Sequence, residues 1–107
     1  MLEIPLRPIP NQSLEIVLGG QNCSLRFYTR LLNDTEHLYC DLAINKTNIF
    51  VGVICQDCVD LKLYRYWPFS GTLAFVDTQG EEDPNWRGLN DRWRLLYLEE
   101  DESWNEQ

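Results

Sequence analysis

Residues 13–32 read SLEIVLGGQNCSLRFYTRLL, and this stretch decides the class of fold. Leu14, Ile16 and Leu18 share one face of an extended chain. After the glycines the alternation continues at every second residue from Cys23 onwards. A period of two residues is typical of half-buried strands. The pair Gly19-Gly20 favours a two-residue hairpin turn. The stretch therefore predicts two antiparallel strands joined by a tight turn.

The same pattern extends in both directions along the chain. Turn residues at 11–12, 33–34 and 46–47 separate further apolar runs, which include HLYCDLAIN, NIFVGVICQD, LAFVDT and RWRLLYLE. Residues 59–64 alternate and predict another strand, and Gly52 predicts a bulge or a close backbone approach inside its strand. The one helix candidate spans Asp83–Asn90, with Asp83 as N-cap and Pro84 in the first turn. The pattern predicts an all-β fold, a single small antiparallel β-barrel or sandwich with at most one short helix.

The 107 residues divide by composition into a body and a tail. Residues 1–98 are expected to form one β-rich domain, within which residues 1–10 (MLEIPLRPIP) form an extended arm or edge strand. Residues 99–107 carry five acids and no base, and we expect a flexible acidic tail. The net charge is −8, and the body without this tail carries only −3.

Several classes of function are disfavoured by the composition. The chain has no basic stripe for nucleic acid, no apolar signal peptide at its start, and no apolar run long enough for a membrane helix. Its one histidine, His37, lies in a predicted turn beside acids. The adjacent acids at 81–83 match neither a glycosidase pair nor a calcium loop. No catalytic, cofactor-binding or metal-binding residue is predicted, and the chain is not expected to be an enzyme.

The four cysteines leave three interpretations open. Cys40 and Cys55 lie in strand-like runs where burial as free thiols is expected. A disulfide is the second possibility. A metal site is the third, since Cys55 and Cys58 have metal-ligand spacing, but it would require Cys23 and Cys40 to converge on that pair.

The loop between the last two apolar runs combines acids with Trp and Arg. Trp86, Arg87, Trp93 and Arg94 have the composition of a protein–protein hot spot, and equally that of a well-capped β-loop. Asp77 directly follows LAFV. With Thr78, it is expected to bond the backbone of the loop and fix its shape.

Several blocks of this sequence resemble the baseplate plug proteins of contractile-tailed, myovirus-type phages. The resemblance covers roughly residues 3–98, and the stretch from Asp77 to Pro84 is its most specific part. The matching blocks are Ile9-Pro10-Asn11-Gln12, Gly19-Gly20, Gly52-Val53 with Cys55 and Asp57, residues 75–80, Asp83-Pro84, and Arg92-Trp93 with Tyr97-Leu98.

The resemblance implies a structural virion protein that plugs the central hub and tube channel above the spike until the tail contracts. Hub, spike and tail-tube proteins are then the expected partners, with the chain assembled in the host cytoplasm into the tail baseplate. Closed rings dominate such assemblies, so a homo-oligomer is expected, with three copies to match a trimeric hub. The alternative is a small acidic protein-binding inhibitor of the immunity or anti-defence type.

Two groups of site residues follow from this interpretation. The proline-rich arm, the aromatic turn YWPFSG (residues 66–71) and the acidic loop are expected to contact partners. Removal of residues 1–10 is expected to leave a folded chain that no longer assembles. The expected interface residues are Ile4, Pro5, Pro8, Ile9, Pro10, Trp67, Phe69, Trp86, Arg87 and Trp93. The residues expected to shape the loop are Asp77, Thr78, Gly80 and Asp83.

Overall fold

The chain folds into seven strands and one short 3₁₀ helix in a computed structural model that describes residues 1–64 and 66–100. Most of the expected acidic tail therefore lies outside the described residues. The strands are β1 (Leu2–Ile4), β2 (Asn11–Leu18), β3 (Gln21–Leu32), β4 (Thr35–Ile44), β5 (Thr47–Ile54), β6 (Thr72–Asp77) and β7 (Trp93–Leu98), and the 3₁₀ helix is Trp86–Gly88.

The strands form two antiparallel sheets that face each other. One sheet is a four-stranded meander in the order β2-β3-β4-β5, and the other has three strands in the order β1-β7-β6. Phe27 of β3 and Phe75 of β6 meet edge to face across the interior, with ring centroids 5.8 Å apart. Both sheets stay open, so of the two predicted architectures the fold is the sandwich and not the closed barrel. The predicted all-β class is confirmed.

Three two-residue turns build the meander. Their residues all have positive φ: 55° and 76° at Gly19-Gly20, 52° and 62° at Asn33-Asp34, and 48° and 68° at Asn45-Lys46. Positive φ at both positions defines the type I′ turn, whose twist matches that of the flanking strands. The first two turns lie where the sequence predicts them. The third lies one residue before the predicted pair at 46–47, because Asn tolerates the left-handed conformation better than Thr.

The strand β5 contains the predicted bulge. The register with β4 jumps between Cys40↔Val53 and Leu42↔Phe50, so two residues oppose Asp41 alone. Gly52 has φ 74°, and its N–H donates to Oδ1 of Asp41 at 2.8 Å. The bulge therefore has its own hydrogen-bond partner in the neighbouring strand.

The core holds three of the four thiols. Cys23, Cys40 and Cys55 are buried, Cys58 is exposed, and all four are free. Burial raises the pKa of the Cys40 and Cys55 thiols well above their usual value. Of the three interpretations left open by the sequence, the structure has free thiols.

Residues 59–64 do not form the strand predicted from their alternation. Asp60 Oδ1 accepts the N–H of Lys62 at 2.9 Å and that of Leu73 at 3.3 Å. Leu61 N–H donates to Leu73 O at 2.7 Å, which places this connection beside β6 without a ladder. The Asp60 carboxylate thus accepts the backbone N–H groups that would otherwise pair in a β-ladder. The strand predicted at residues 59–64 is therefore wrong.

The N-terminal segment is part of the smaller sheet. Leu2 pairs with Tyr97 and Ile4 with Leu95, and both Ile4 and Leu6 are buried. Removal of residues 1–10 would uncover β7 and open the core. In contrast to the expectation from the sequence, we therefore predict that such a truncation destabilises the fold.

Candidate functional site

The loop between β6 and β7 is organised around the carboxylate of Asp77. This residue ends β6 and is buried, although its side chain is charged. Its oxygens accept the N–H groups of Gln79 and Glu82, each at 2.9 Å. They also accept Nε and Nη2 of Arg92 at 2.8 and 2.7 Å. Four donors on one buried carboxylate fix the course of the loop at both of its ends.

Arg92 is the residue of this centre that sequence reasoning missed. Its guanidinium holds the pKa of the Asp77 carboxyl well below its usual range, and it also bonds Glu82 Oε2 at 2.8 Å. The same group stacks on the Trp93 ring at 4.5 Å. Asp77 opposes Trp93 in the β6–β7 register. Had the two apolar runs been paired in the sequence analysis, Arg92, which directly precedes Trp93, would have been expected beside Asp77.

Thr78 and Gly80 lie in the same part of the loop. The N–H and hydroxyl of Thr78 both donate to Arg92 O, at 2.8 and 2.6 Å. A Cβ at Gly80 would lie 3.3 Å from Arg92 Nη2 and 3.4 Å from Asp77 Oδ2. Gly80 thus leaves room for the ion pair beneath it.

Asp83 is not the predicted helix N-cap. Its Oδ1 accepts the N–H of Asp57 at 3.1 Å, and Asp57 Oδ1 in turn accepts the N–H of Asp77 at 2.8 Å. The loop is thereby tied to the connection after β5. The 3₁₀ helix begins later, at Trp86, and its N-cap is Asn85, whose Oδ1 accepts the N–H of Arg87 at 3.0 Å.

Glu36 of β4 holds the 3₁₀ helix against the four-stranded sheet. Its carboxylate accepts Asn85 Nδ2 at 3.3 Å, Trp86 Nε1 at 3.4 Å, and Arg87 Nη1. The Arg87 guanidinium lowers the pKa of the Glu36 carboxyl and lies over the Trp86 ring at 4.4 Å. Trp86 and Arg87 thus present a fixed aromatic and cationic surface.

The expected interface residues divide by burial. Ile4, Phe69 and Trp93 are 1, 2 and 7% exposed, so they pack inside this chain. Trp93 Nε1 also donates to Glu82 O at 3.0 Å. The remaining members of the expected set are at least partly exposed: Pro5, Pro8, Ile9, Pro10, Trp67, Trp86 and Arg87.

An exposed aromatic surface lies in the connection between β5 and β6. We call Leu63, Tyr64, Tyr66 and Trp67 the aromatic ridge. Tyr66 is 80% exposed and stacks on Tyr64, with ring centroids 5.6 Å apart. The Trp67 ring contacts the Tyr64 ring and stacks on the Phe50 ring, with centroid distances of 5.0 and 5.2 Å. The ridge is thereby packed against the core. Sequence reasoning selected only Trp67 and Phe69 here, although the run from 63 to 67 in a proline-broken loop is a usable signal.

Neither a metal centre nor a membrane-spanning helix is found in residues 1–64 and 66–100. No group of three or more His, Cys, Asp or Glu side chains in these ranges is arranged to hold a metal ion. Within the same ranges, no helix has the length and apolar character needed to cross a bilayer.

Comparison with protein-family models identifies the family of this chain. The model of the family described as cyanophage baseplate Pam3 plug gp18 matches residues 1–101, which include both sheets and the β6–β7 loop. The chain belongs to this baseplate plug family. A search of curated proteins finds no match.

Membership confirms the resemblance found in the sequence. It gives this plug-family protein a structural role in the phage tail baseplate, where it associates with other baseplate components. The family is one of structural baseplate plugs.

Proposed function

We propose that this chain closes the central hub and tube channel of a contractile tail above the spike, and that it leaves the channel when the tail contracts. The observation that carries the proposal is the family match combined with a β6–β7 loop held rigid by Asp77 and Arg92. A plug must hold its shape against neighbours on several sides. Buried, multiply bonded loops supply that rigidity at little entropic cost on binding.

Two surfaces are suited to contact hub, spike and tail-tube proteins. The aromatic ridge exposes a large apolar area, and its Trp67 ring is already packed on the buried Phe50. The Trp86–Arg87 pair adds a stacked cation that Glu36 holds in place. Tyr, Trp and Arg are the residues enriched at interface hot spots. Both surfaces are formed before a partner arrives, so binding would require little reordering.

The charge of the chain fits a position near packaged DNA. The net charge is −8, and an acidic surface repels the phosphate backbone. A plug with this charge would close a channel without retaining DNA. This favours the baseplate role, whereas the alternative of an acidic inhibitor has only the charge in its favour.

The finer details of assembly stay predictions from the sequence. These are a homo-oligomer of three copies that matches a trimeric hub, and assembly in the host cytoplasm. The partly exposed prolines of residues 5–10 are proposed as further contacts with neighbours.

The proposal is tested by complementing phage that lack this gene with variants of the chain. The double variant Tyr64→Ser, Tyr66→Ser should reduce incorporation into purified tails, measured by mass spectrometry, and remove density from the hub channel in cryo-EM maps. The matched control is Leu31→Ser, which removes an apolar side chain that is 72% exposed at the β3–β4 turn. Normal incorporation of the double variant would reject the ridge as the contact, and density outside the channel would reject the plug.

A further inference from the structure

Most strand edges in the described residues are blunted against pairing. The edge strand β1 is three residues long and is followed by prolines. β6 is flanked by the connection after β5, through the Asp57↔Phe75 bridge and the Leu61–Leu73 hydrogen bond. β5 is bulged, and Gly52 is bonded to a side chain. Short strands, prolines, bulges and covering segments are the usual protections of sheet edges.

The strand β2 is long and has no bulge, and the proline segment adjoins only its start, where Arg7 and the Gln12 side chain exchange two hydrogen bonds. All eight of its residues pair with β3 in unbroken register. It contains no proline, and Glu15 is its one charged residue. Leu14 and Ile16 remain half-exposed at the margin of the core. A regular edge of this length is a template for another strand.

The alternation of hydrogen-bonded and non-bonded residue pairs between β2 and β3 shows which backbone groups of β2 are free to pair with another strand. The turn at Gly19-Gly20 closes on Leu18↔Gln21, a pair that exchanges both hydrogen bonds in such hairpins. Bonded and non-bonded pairs then alternate along β2. In agreement, Asn22 O accepts from Asn45 N at 3.0 Å on the β4 side, so its partner Val17 is not bonded to β3.

The backbone N–H and C=O groups of Ser13, Glu15 and Val17 therefore point away from β3. Within residues 1–64 and 66–100, none of these three N–H groups makes a hydrogen bond outside the β2–β3 pair. Unpaired groups at regular spacing are what an added antiparallel strand would bond.

We propose that β2 pairs with β2 of a second copy of this chain, antiparallel about a two-fold axis at Leu14. This register places Ser13 opposite Glu15 of the second copy and spans residues 11–17. A two-fold axis at Glu15 would oppose two carboxylates, which is destabilising. An axis at Ser13 or Ile16 would shorten the ladder from seven residues to five.

The pairing makes one continuous eight-stranded sheet from two four-stranded ones. It brings Leu14 and Ile16 of each copy together across the new edge, where both are half-exposed in the single chain. The Ser13 hydroxyl can donate to the carboxylate of Glu15 opposite it. A net charge of −8 disfavours most face-to-face contacts between copies, but this edge carries one acid that faces a donor.

The inference concerns the free protein and does not depend on the plug role. A three-fold ring in a baseplate would have to release this two-fold contact. The pairing protects an aggregation-prone edge until then.

Light scattering after size exclusion tests the stoichiometry. The purified chain should have twice the mass of the 12.6 kDa monomer at high micromolar concentration. Glu15→Pro removes an outward N–H without breaking a bond to β3, so it should weaken dimerisation at least tenfold while circular dichroism stays that of a folded chain. Glu15→Thr is the matched control and should remain dimeric. A monomeric wild type, or a Glu15→Pro variant that is folded and still dimeric, would overturn the proposal.

Disulfide trapping tests the register. In a Cys58→Ser background, Leu14→Cys places two thiols directly opposite each other at a non-bonded pair, where Cα atoms are about 4.5 Å apart. Mild oxidation should convert it to a covalent dimer. Ile16→Cys lies opposite Gln12 of the second copy and about 13 Å from residue 16 of that copy. This variant should therefore form no covalent dimer on oxidation. Equal trapping of both variants would reject the Leu14 axis.

Discussion

Replacement of Ile4 by alanine should destabilise the whole fold and not merely detach an arm. The side chain is 1% exposed, and its strand pairs with β7, with Ile4 opposite Leu95. The change removes three carbon groups from the core. At about 0.8 kcal/mol for each, the lost transfer free energy is about 2.4 kcal/mol. The cavity left behind adds to this loss, so a total of about 2–5 kcal/mol is expected.

A loss of this size is easily measured. In a domain of about 100 residues, 1 kcal/mol lowers Tm by roughly 4–8 °C, so Ile4→Ala should melt at least about 10 °C below the wild type. Calorimetry and urea unfolding followed by circular dichroism give the two independent values. Pro8→Ala is the matched control, since Pro8 is exposed in the same segment, and its effect should stay within about 0.5 kcal/mol.

A loss below about 1 kcal/mol for Ile4→Ala would refute the placement of β1 in the core. The outcome also decides how assembly experiments are interpreted. If Ile4 supports the fold, then failure of a truncated chain to enter baseplates reflects unfolding and not a lost contact. Only exposed positions such as Pro8 can then report on assembly.

Three further predictions concern loop charge, turn geometry and thiol reactivity. Asp77→Asn should lower the urea midpoint at pH 7, and the gap to wild type should close as the pH falls. The depressed pKa of this carboxyl gives stability that is present above about pH 4 and is lost towards its folded-state pKa. Gly71→Ala should lower Tm far more than Gly20→Ala. Both have positive φ, but a Cβ at Gly71 would lie 2.6 Å from backbone, whereas Gly20 faces open space. Iodoacetamide should modify Cys58 in the native protein and Cys55 only after unfolding.

Each of these has a result that would contradict it. A gap between wild type and Asp77→Asn that is unchanged from pH 7 to pH 3 would mean that the carboxylate charge contributes nothing. Equal losses at Gly71 and Gly20 would mean that backbone strain alone sets the cost. Alkylation of Cys55 at the rate of Cys58 in native protein, followed by mass spectrometry of peptides, would contradict its burial.

The strands of the meander were predictable because their signals are local. Alternation over residues 13–32 and turn residues at Gly19-Gly20 and Asn33-Asp34 act over a few positions. The structure follows them with a one-residue shift at the third turn, whereas the turn predicted at 11–12 is wrong because both residues belong to β2. The N-terminal arm was harder, because prolines suggest an edge and nothing in the sequence shows that Ile4 fills the core between two sheets.

The parts of the site that sequence reasoning missed depend on contacts between distant residues. Asp57 lies 20 positions before Asp77, and its bond to the backbone there needs the fold to bring the two connections together. The alternation at 59–64 fails for the same reason, since Leu73 supplies one of the donors that Asp60 accepts. Aromatic residues present a similar difficulty, because their identity alone does not show that Trp93 is buried whereas Tyr66 is exposed.

The acidic loop illustrates how these contacts limit its role in assembly. Asp77 uses its carboxylate on four donors of its own chain, and Asp83 and Trp93 likewise bond backbone groups nearby. Side chains committed in this way determine shape and have little capacity left for a partner. We therefore propose the exposed aromatic ridge and Arg87 as the surfaces that contact partners. It follows that substitutions at Asp77 should lower stability and incorporation together, whereas substitutions on the ridge should lower incorporation at unchanged Tm.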